Sequence, residues 1–366
     1  MRVNVLSPGF TTSNGSAFLF PLVVHQKELQ NANIDVRFVN RSASTLTDCD
    51  VLAIDSKEFR HDWSPERQSR TLDLISSYGN SGGNPGGNSG TKVVWFDTSD
   101  STGTLQSRVF PAVDRYLKSQ ILADKTEYTR EIYGGRIYSE YYHEKADITD
   151  EAPAAIDSPI SAEDTSKLGV SWNSGLSDYS TYGPWKIALY DRIPLSRLLR
   201  HPSRIENPGS QRSNDLSARF GATYRRASAR YQREKIREIL SSRLDTQKLN
   251  RRGYMKELRN SKVVLSPFGW GEITLKDFEV FLTGGMLLKP SMDHMATWPD
   301  FYEKDVTYLA HCWDLLDLEQ QIDWAIDNDS EREAIAYEGQ RRYIEYTSGP
   351  NAGEHFANHL KKMLST

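Results

Sequence analysis

Cysteine is almost absent: Cys49 and Cys312 stand far apart in a chain of 366 residues. That excludes a disulfide framework or a zinc cluster of ordinary spacing, and a reducing, cytoplasmic setting is expected. Also missing is any apolar run near the roughly 20 residues a membrane span needs. The opening MRVNVLSPG carries one arginine and a short β-type run. It is too short and polar for the apolar core of a signal peptide and reads as a first strand kept in the mature chain. Positive charge is not in excess, with 45 Lys plus Arg against 49 Asp plus Glu and a net charge of -4. Nucleic acid is therefore not an expected partner, and any anion site must be local. No repeat with a period of about 20 to 50 residues occurs, so a solenoid or propeller is excluded.

What is present is a soluble, globular composition, 38% hydrophobic and 26% charged, long enough for two domains. Short β-type runs at 2–6, 35–39, 51–54 and 92–96 alternate with helical stretches such as 18–29 and 65–78. That alternation predicts an open, mainly parallel sheet covered by helices. The insert at 79–90, glycine- and asparagine-rich, predicts a mobile surface loop, and 144–167 another irregular connection. A strand at 169–172 and a helix at 179–199 close the first unit, which spans 1–200. A turn-rich linker at 201–214, HPSRIENPGSQRSN, follows. A second α/β unit at 215–346 then has helices at 227–242 and 252–260, a strand at 262–266, a helix at 275–283 and strands at 286–289 and 306–309. Helices at 315–328 and 330–346 complete it. A last helical segment, 347–366, is expected to pack back on the first unit. The fold class is α/β, with two Rossmann-like domains facing a cleft.

Chemistry concentrates in SKVVLSPFGWGEITLKDFEVFLTGGMLLKP, residues 261–290. A strand runs into Ser266, Pro267, Gly269 and Gly271, and a helix starts soon after. Ligands of open parallel sheets bind beyond the carboxyl ends of the strands. Glycines there let backbone approach a ligand, and free N–H groups at a helix start favour phosphate. Thr274 can cap the helix, while Lys276 and Glu279, three apart, project from neighbouring positions. An i, i+3 Lys/Glu pair is also what a solvated helix face shows. Phe278, Phe281 and Leu282 supply a core face, and Gly284-Gly285 ends the helix.

The order of strand, Ser-Pro-x-Gly, Thr-x-Lys-x-x-Glu helix, Gly-Gly end and MLLKP strand resembles the donor-binding region of GT-B glycosyltransferases, most closely exostosin-like and fucosyltransferase-like members. The resemblance covers about 261–309 and, more weakly, 215–260. It implies that Lys276 meets the donor phosphates and Glu279 holds the nucleotide's ribose. Many retaining members have a second glutamate eight residues earlier; here that position is Gly271 and Glu272 falls one later, so an inverting reaction is favoured. Arg219 and Arg225 sit around a strand-to-helix loop where a second phosphate clamp would be placed, although an arginine-rich helix can also just present a solvated face. A loop with His294, Thr297, Trp298 and Asp300 stands beside the expected cleft, facing donor or merely packing.

In the first half, Gly9, Asn14 and Gly15 form the glycine loop that such enzymes place on the acceptor side, or an ordinary turn. A catalytic base is needed to take the acceptor's proton. Asp97 and Asp100, in VVWFDTSDSTG, follow a buried-looking strand and are the best candidates, with helix capping or turn formation as the alternative role. His25 and His143 are rivals. The DxxD spacing of Asp97 and Asp100 is not a DxD metal motif, and no metal or cofactor is expected beyond the nucleotide-sugar substrate.

The expected activity is sugar transfer to a glycan, lipid-linked or protein-linked hydroxyl acceptor. A nucleotide-sugar hydrolase or epimerase, or a non-catalytic glycan-binding protein, would share the same pocket. A Rossmann oxidoreductase is disfavoured, since GxGxxG is missing and Val39-Asn40 stands where an acidic residue is wanted.

Overall fold

The structure, a computed structural model, describes residues 1–80, 90–151 and 159–365. The expected mobile insert falls mostly at 81–89, outside the described residues.

Six strands build the first sheet: β1 (Arg2–Leu6), β2 (Asp35–Val39), β3 (Val51–Asp55), β4 (Lys92–Asp97), β5 (Arg115–Lys118) and β7 (Leu168–Val170). All are parallel, in the order β2-β1-β3-β4-β5-β7. β3 and β4 are almost wholly buried and read as continuous apolar runs, as strands covered on both faces must. Helices α1 (Ser13–Val24), α2 (Gln26–Asn31), α3 (Pro65–Asn80), α4 (Ile137–Ala146) and α5 (Gly183–Arg192) belong to this half.

The second sheet is β8 (Asn214–Ser217), β9 (Ser261–Leu265), β10 (Met286–Pro290) and β12 (Leu309–His311), again parallel, in the order β12-β10-β9-β8. Its helices are α6 (Ala227–Ile239), α7 (Arg251–Arg259), α8 (Leu275–Thr283), α9 (Leu318–Asp327) and α10 (Asp329–Thr347), and α11 (Ala352–Ser365) ends the chain. The chain thus folds as two Rossmann-like α/β units. Among the described residues no helix is long and apolar enough to cross a membrane.

The halves are joined more tightly than the sequence indicates. β6 (Gln120–Leu122), from the first half, pairs antiparallel with β11 (Met295–Thr297), from the second. One hydrophobic cluster runs through both, from Val3 and Phe18 to Phe278, Phe281 and Tyr343. Each such fully buried side chain contributes roughly 1.5–3 kcal/mol. Helix α11 lies against the first half: His359 Nε2 is 2.6 Å from Ser171 O, the Lys92 ammonium donates to Leu364 O at 3.2 Å, and Phe356 packs edge-on against Trp172.

Helix α8 shows why its sequence was readable. The Thr274 N–H and hydroxyl both donate to the Asp277 carboxylate, at 3.1 and 2.9 Å, which fixes the first turn. Gly284, at φ +71, closes the helix where a β-carbon would meet Glu206 O at 2.5 Å.

Candidate functional site

The carboxyl ends of both sheets point into a cleft of about 380 Å³ lined from the first half by Asn14, Asp97, Asp100, Gln120 and Trp172, among others, and from the second by Tyr224, Arg233, Gly269, Trp270, Gly271 and Thr274.

The first-half wall is built around a buried ion pair. Asp97 ends β4 and stands in register with Lys118, which ends β5. The Lys118 ammonium donates to Asp97 Oδ2 at 2.9 Å, and the Tyr116 hydroxyl to the same oxygen at 2.6 Å. Burial alone would raise the Asp97 carboxyl, but the Lys118 charge and these hydrogen bonds hold it below the usual carboxylate range. Lys118 also donates to Ser99 O at 3.1 Å and Ser99 Oγ at 2.5 Å. Asp97 therefore anchors the loop that follows, and Asp100 is the carboxylate that loop exposes to the cleft. The Asn14 amide donates to Asp100 Oδ1 and, at 3.0 Å, to Thr98 O. Among the described residues no hydrogen bond engages Asp100 Oδ2. Gly15 supplies the N–H that caps α1 on Thr12 Oγ1 at 3.0 Å. Gly9, at φ +83, sits beside Asp191.

Across the cleft, Gly271 meets this loop directly: a β-carbon there would lie 2.1 Å from Asp100 O, so only glycine permits the approach. Next to it, Glu272 is clamped to the first half, accepting from Thr102 N at 3.0 Å and Thr102 Oγ1 at 2.7 Å. Burial works against its charge, while His294 and Thr102 hold its carboxyl low. Trp270 is flanked by the Arg136 and Arg226 guanidinium groups, 5.2 and 5.6 Å from its ring.

A second cavity of about 260 Å³ adjoins the cleft, sharing Tyr224, Arg233 and Thr274 with it, and lies where β8 and β9 end and α8 begins. Arg219, Arg233, Lys248 and Lys276 line it. Arg219 is compensated by Glu257 and Asp245, at 3.0 and 3.1 Å. The other three make no ion pair among the described residues. Arg233 is held by main-chain carbonyls, Phe268 O at 2.5 Å and Gly221 O at 2.7 Å. Lys276 donates to Arg219 O at 2.5 Å and Leu265 O at 3.3 Å. Burial, reinforced by the Arg233 charge, pushes the Lys276 ammonium down to about 7. Arg233, Lys248 and Lys276 thus gather around one cavity, with the Glu279 and Asp277 charges partly offsetting the others at Lys276.

The remaining sequence candidates lie elsewhere. Glu279 lines neither cavity and is ion-paired with Arg251, whose guanidinium also donates to Tyr179 O and Ser180 O at 2.9 and 3.0 Å. Arg225 is exposed and lines neither cavity. The 294–300 segment, expected as a loop, instead contains strand β11 and forms the seam between the halves: Thr297 Oγ1 donates to Ser119 O at 2.7 Å, and Trp298 stacks on His359 at 3.7 Å. His25 pairs with His201 at 3.3 Å, burial lowering its imidazole to about 4, and His143 stacks on Tyr133.

Sequence reasoning missed Arg233, Lys248, Lys118 and Trp270. For Arg233 a signal existed: with Ala229, Gln232 and Ile236 it falls on the buried stripe of α6.

No family model and no curated protein matches the chain. Among solved structures, the T4 phage β-glucosyltransferase is similar over 100% of both chains, at 9% identity and a TM-score of 0.47. An α-glucosyltransferase in complex with UDP is similar over 98% of this chain and 100% of its own, at 10% identity and 0.45. S. aureus MnaA with UDP is similar over 100% and 96%, at 10% identity and 0.39. At such identities and scores these are likenesses of coarse layout.

Proposed function

We propose that the chain transfers a sugar from a nucleotide-sugar donor to a hydroxyl acceptor, with inversion and without a bound metal. The observation that carries this reading is the junction of two cavities: a pocket lined by Arg219, Arg233, Lys248 and Lys276 opens, past Tyr224, Arg233 and Thr274, onto a cleft whose opposite wall presents Asp100.

In this reading the donor diphosphate occupies the cationic pocket against Lys276, Arg233 and the N-terminus of α8, and the sugar projects into the cleft. The acceptor hydroxyl lies against Asp100, whose Oδ2 takes its proton while Asn14 fixes Oδ1. The acceptor oxygen bonds to the anomeric carbon as the bond from that carbon to the phosphate oxygen breaks. The departing diphosphate carries the electron pair into the field of Lys276 and Arg233. Asp97, committed to Lys118, positions the base, and Glu279 acts through Arg251 on the packing beneath α8.

The test is a panel of nucleotide sugars scored for acceptor-dependent release of nucleoside diphosphate. The native chain is expected to turn over one donor class, and Asp100→Asn to lose about 10²–10⁴ in rate while keeping donor affinity. Full activity in Asp100→Asn would remove it as the base. Release without acceptor, at the same rate, would make the chain a hydrolase.

A further inference from the structure

The segment following Tyr182 is built with two unlike faces. On the inner side, Ile187 of α5 and Leu199 are buried against Phe20 of α1. On the outer side, Trp185 is 65% exposed, Ile193 50% and Leu195 53%. Every residue from Asp191 to Arg197 is exposed. A hydrophobic ridge of this kind is unusual on a chain with a well-filled core.

Its charge is as distinctive as its apolarity. Arg192, Arg197 and Arg200 are interleaved with the ridge, all exposed, and none makes an ion pair among the described residues. The chain as a whole carries a net charge of -4, so this is a local cationic face on an acidic protein. Exposed tryptophan and branched aliphatics among unpaired arginines match the interfacial region of an anionic bilayer: the apolar groups enter the acyl boundary and the guanidinium groups meet the headgroups.

The ridge is also tied to the cleft. Phe10, in the loop that leads into α1, donates its N–H to Asp191 at 3.2 Å and packs edge-on against Tyr190, with ring centroids 5.1 Å apart. The same loop delivers Ser13 and Asn14 to the cleft wall. We infer that the Trp185–Ile193–Leu195 ridge docks the protein on an anionic membrane surface. On the transferase reading, on which this consequence rests, docking brings the first-half side of the cleft to an acceptor carried by a lipid.

The test uses the full chain and sedimentation with vesicles of phosphatidylcholine alone or mixed with phosphatidylglycerol. The native chain is expected to sediment with the mixed vesicles, not with the neutral ones, and to be released by high salt. Arg192→Gln, Arg197→Gln and Arg200→Gln should each weaken binding about fivefold, and Trp185→Ser with Ile193→Ser should abolish it. Because these side chains are exposed, melting temperatures should stay at the native value. No binding to the mixed vesicles, or binding unchanged in the variants, overturns the inference. So does a native dimer, seen by analytical ultracentrifugation, that the same substitutions dissociate, since the ridge would then be a contact between copies. Nucleoside diphosphate titration, run in parallel, reads the transferase proposal separately: lost nucleotide binding with retained vesicle binding leaves docking standing, and the reverse removes it.

Discussion

If a diphosphate binds among Lys276, Arg233 and Lys248, its affinity must depend on pH in a definite way. The Lys276 ammonium titrates at about 7 in the free protein because it is desolvated and faces Arg233. A phosphate oxygen beside it favours the charged form and raises its pKa again. Above pH 7, binding therefore takes up as much as one proton. Each further pH unit costs up to tenfold in affinity, about 1.4 kcal/mol, until the pKa of the complex is reached. The second ionisation of a terminal phosphate, near a pKa of about 6, is largely complete by then and does not mimic the effect. Calorimetric titration of UDP between about pH 7 and pH 9, in buffers of different ionisation heat, counts that proton. Lys276→Gln should bind more weakly at pH 7 and show a flatter profile. The unliganded protein offers a second reading of the same group. Between about 7 and its usual value of 10.5, the unfolded chain holds a proton on Lys276 that the folded chain does not. This group's contribution to stability therefore rises with pH across that window. An affinity independent of pH in the native chain, or the same slope in Lys276→Gln, would refute the reasoning.

Three other substitutions probe the framework. Lys118→Met leaves Asp97 buried without its cation, and the cost should be about 3–5 kcal/mol in denaturant unfolding. Gly271→Ala drives a β-carbon into Asp100 O, so the loop must retreat; a loss of about 1–3 kcal/mol is expected, together with loss of turnover and retention of nucleotide binding by calorimetry. Glu279→Gln should lower the melting temperature through Arg251 and, because the Glu279 charge favours the Lys276 ammonium, weaken nucleoside diphosphate binding only slightly; a loss as large as that in Lys276→Gln would instead make Glu279 a donor ligand.

The fold was legible where local signals agree with tertiary demand. In 261–290 the apolar strand, the Thr274–Asp277 cap and the Gly284 stop all act within a few residues, and the element bounds read from sequence match β9, α8 and β10 closely. The helix at 315–328 is shorter, because Leu315 has φ +67 and the regular turn starts only at Leu318. The strand placed at 306–309 shifts to Leu309–His311, because Asp305 turns the backbone through φ +58 and pairing with β10 begins only at Leu309. β5, β6 and β11 carry too little local pattern. β5 ends on a lysine that composition assigns to solvent, yet Lys118 is wholly buried on Asp97. β6 and β11 exist because the two halves meet, a contact between residues about 170 positions apart that no short window encodes. The site divides in the same way. Lys276 and Gly271 were marked by their motif, and Asp100 by its place after β4. Arg233 was hidden in a charge-rich helix, and the roles of Asp97, Lys118 and Glu272 depend on partners distant in sequence.

The most direct test of the central claim is a structure of the protein with a nucleoside diphosphate bound. The account predicts the diphosphate between Lys276, Arg233 and the first turn of α8, with its terminal phosphate turned toward the Asp100 side of the cleft. A nucleotide bound elsewhere, or one that leaves the cationic pocket empty, would contradict it.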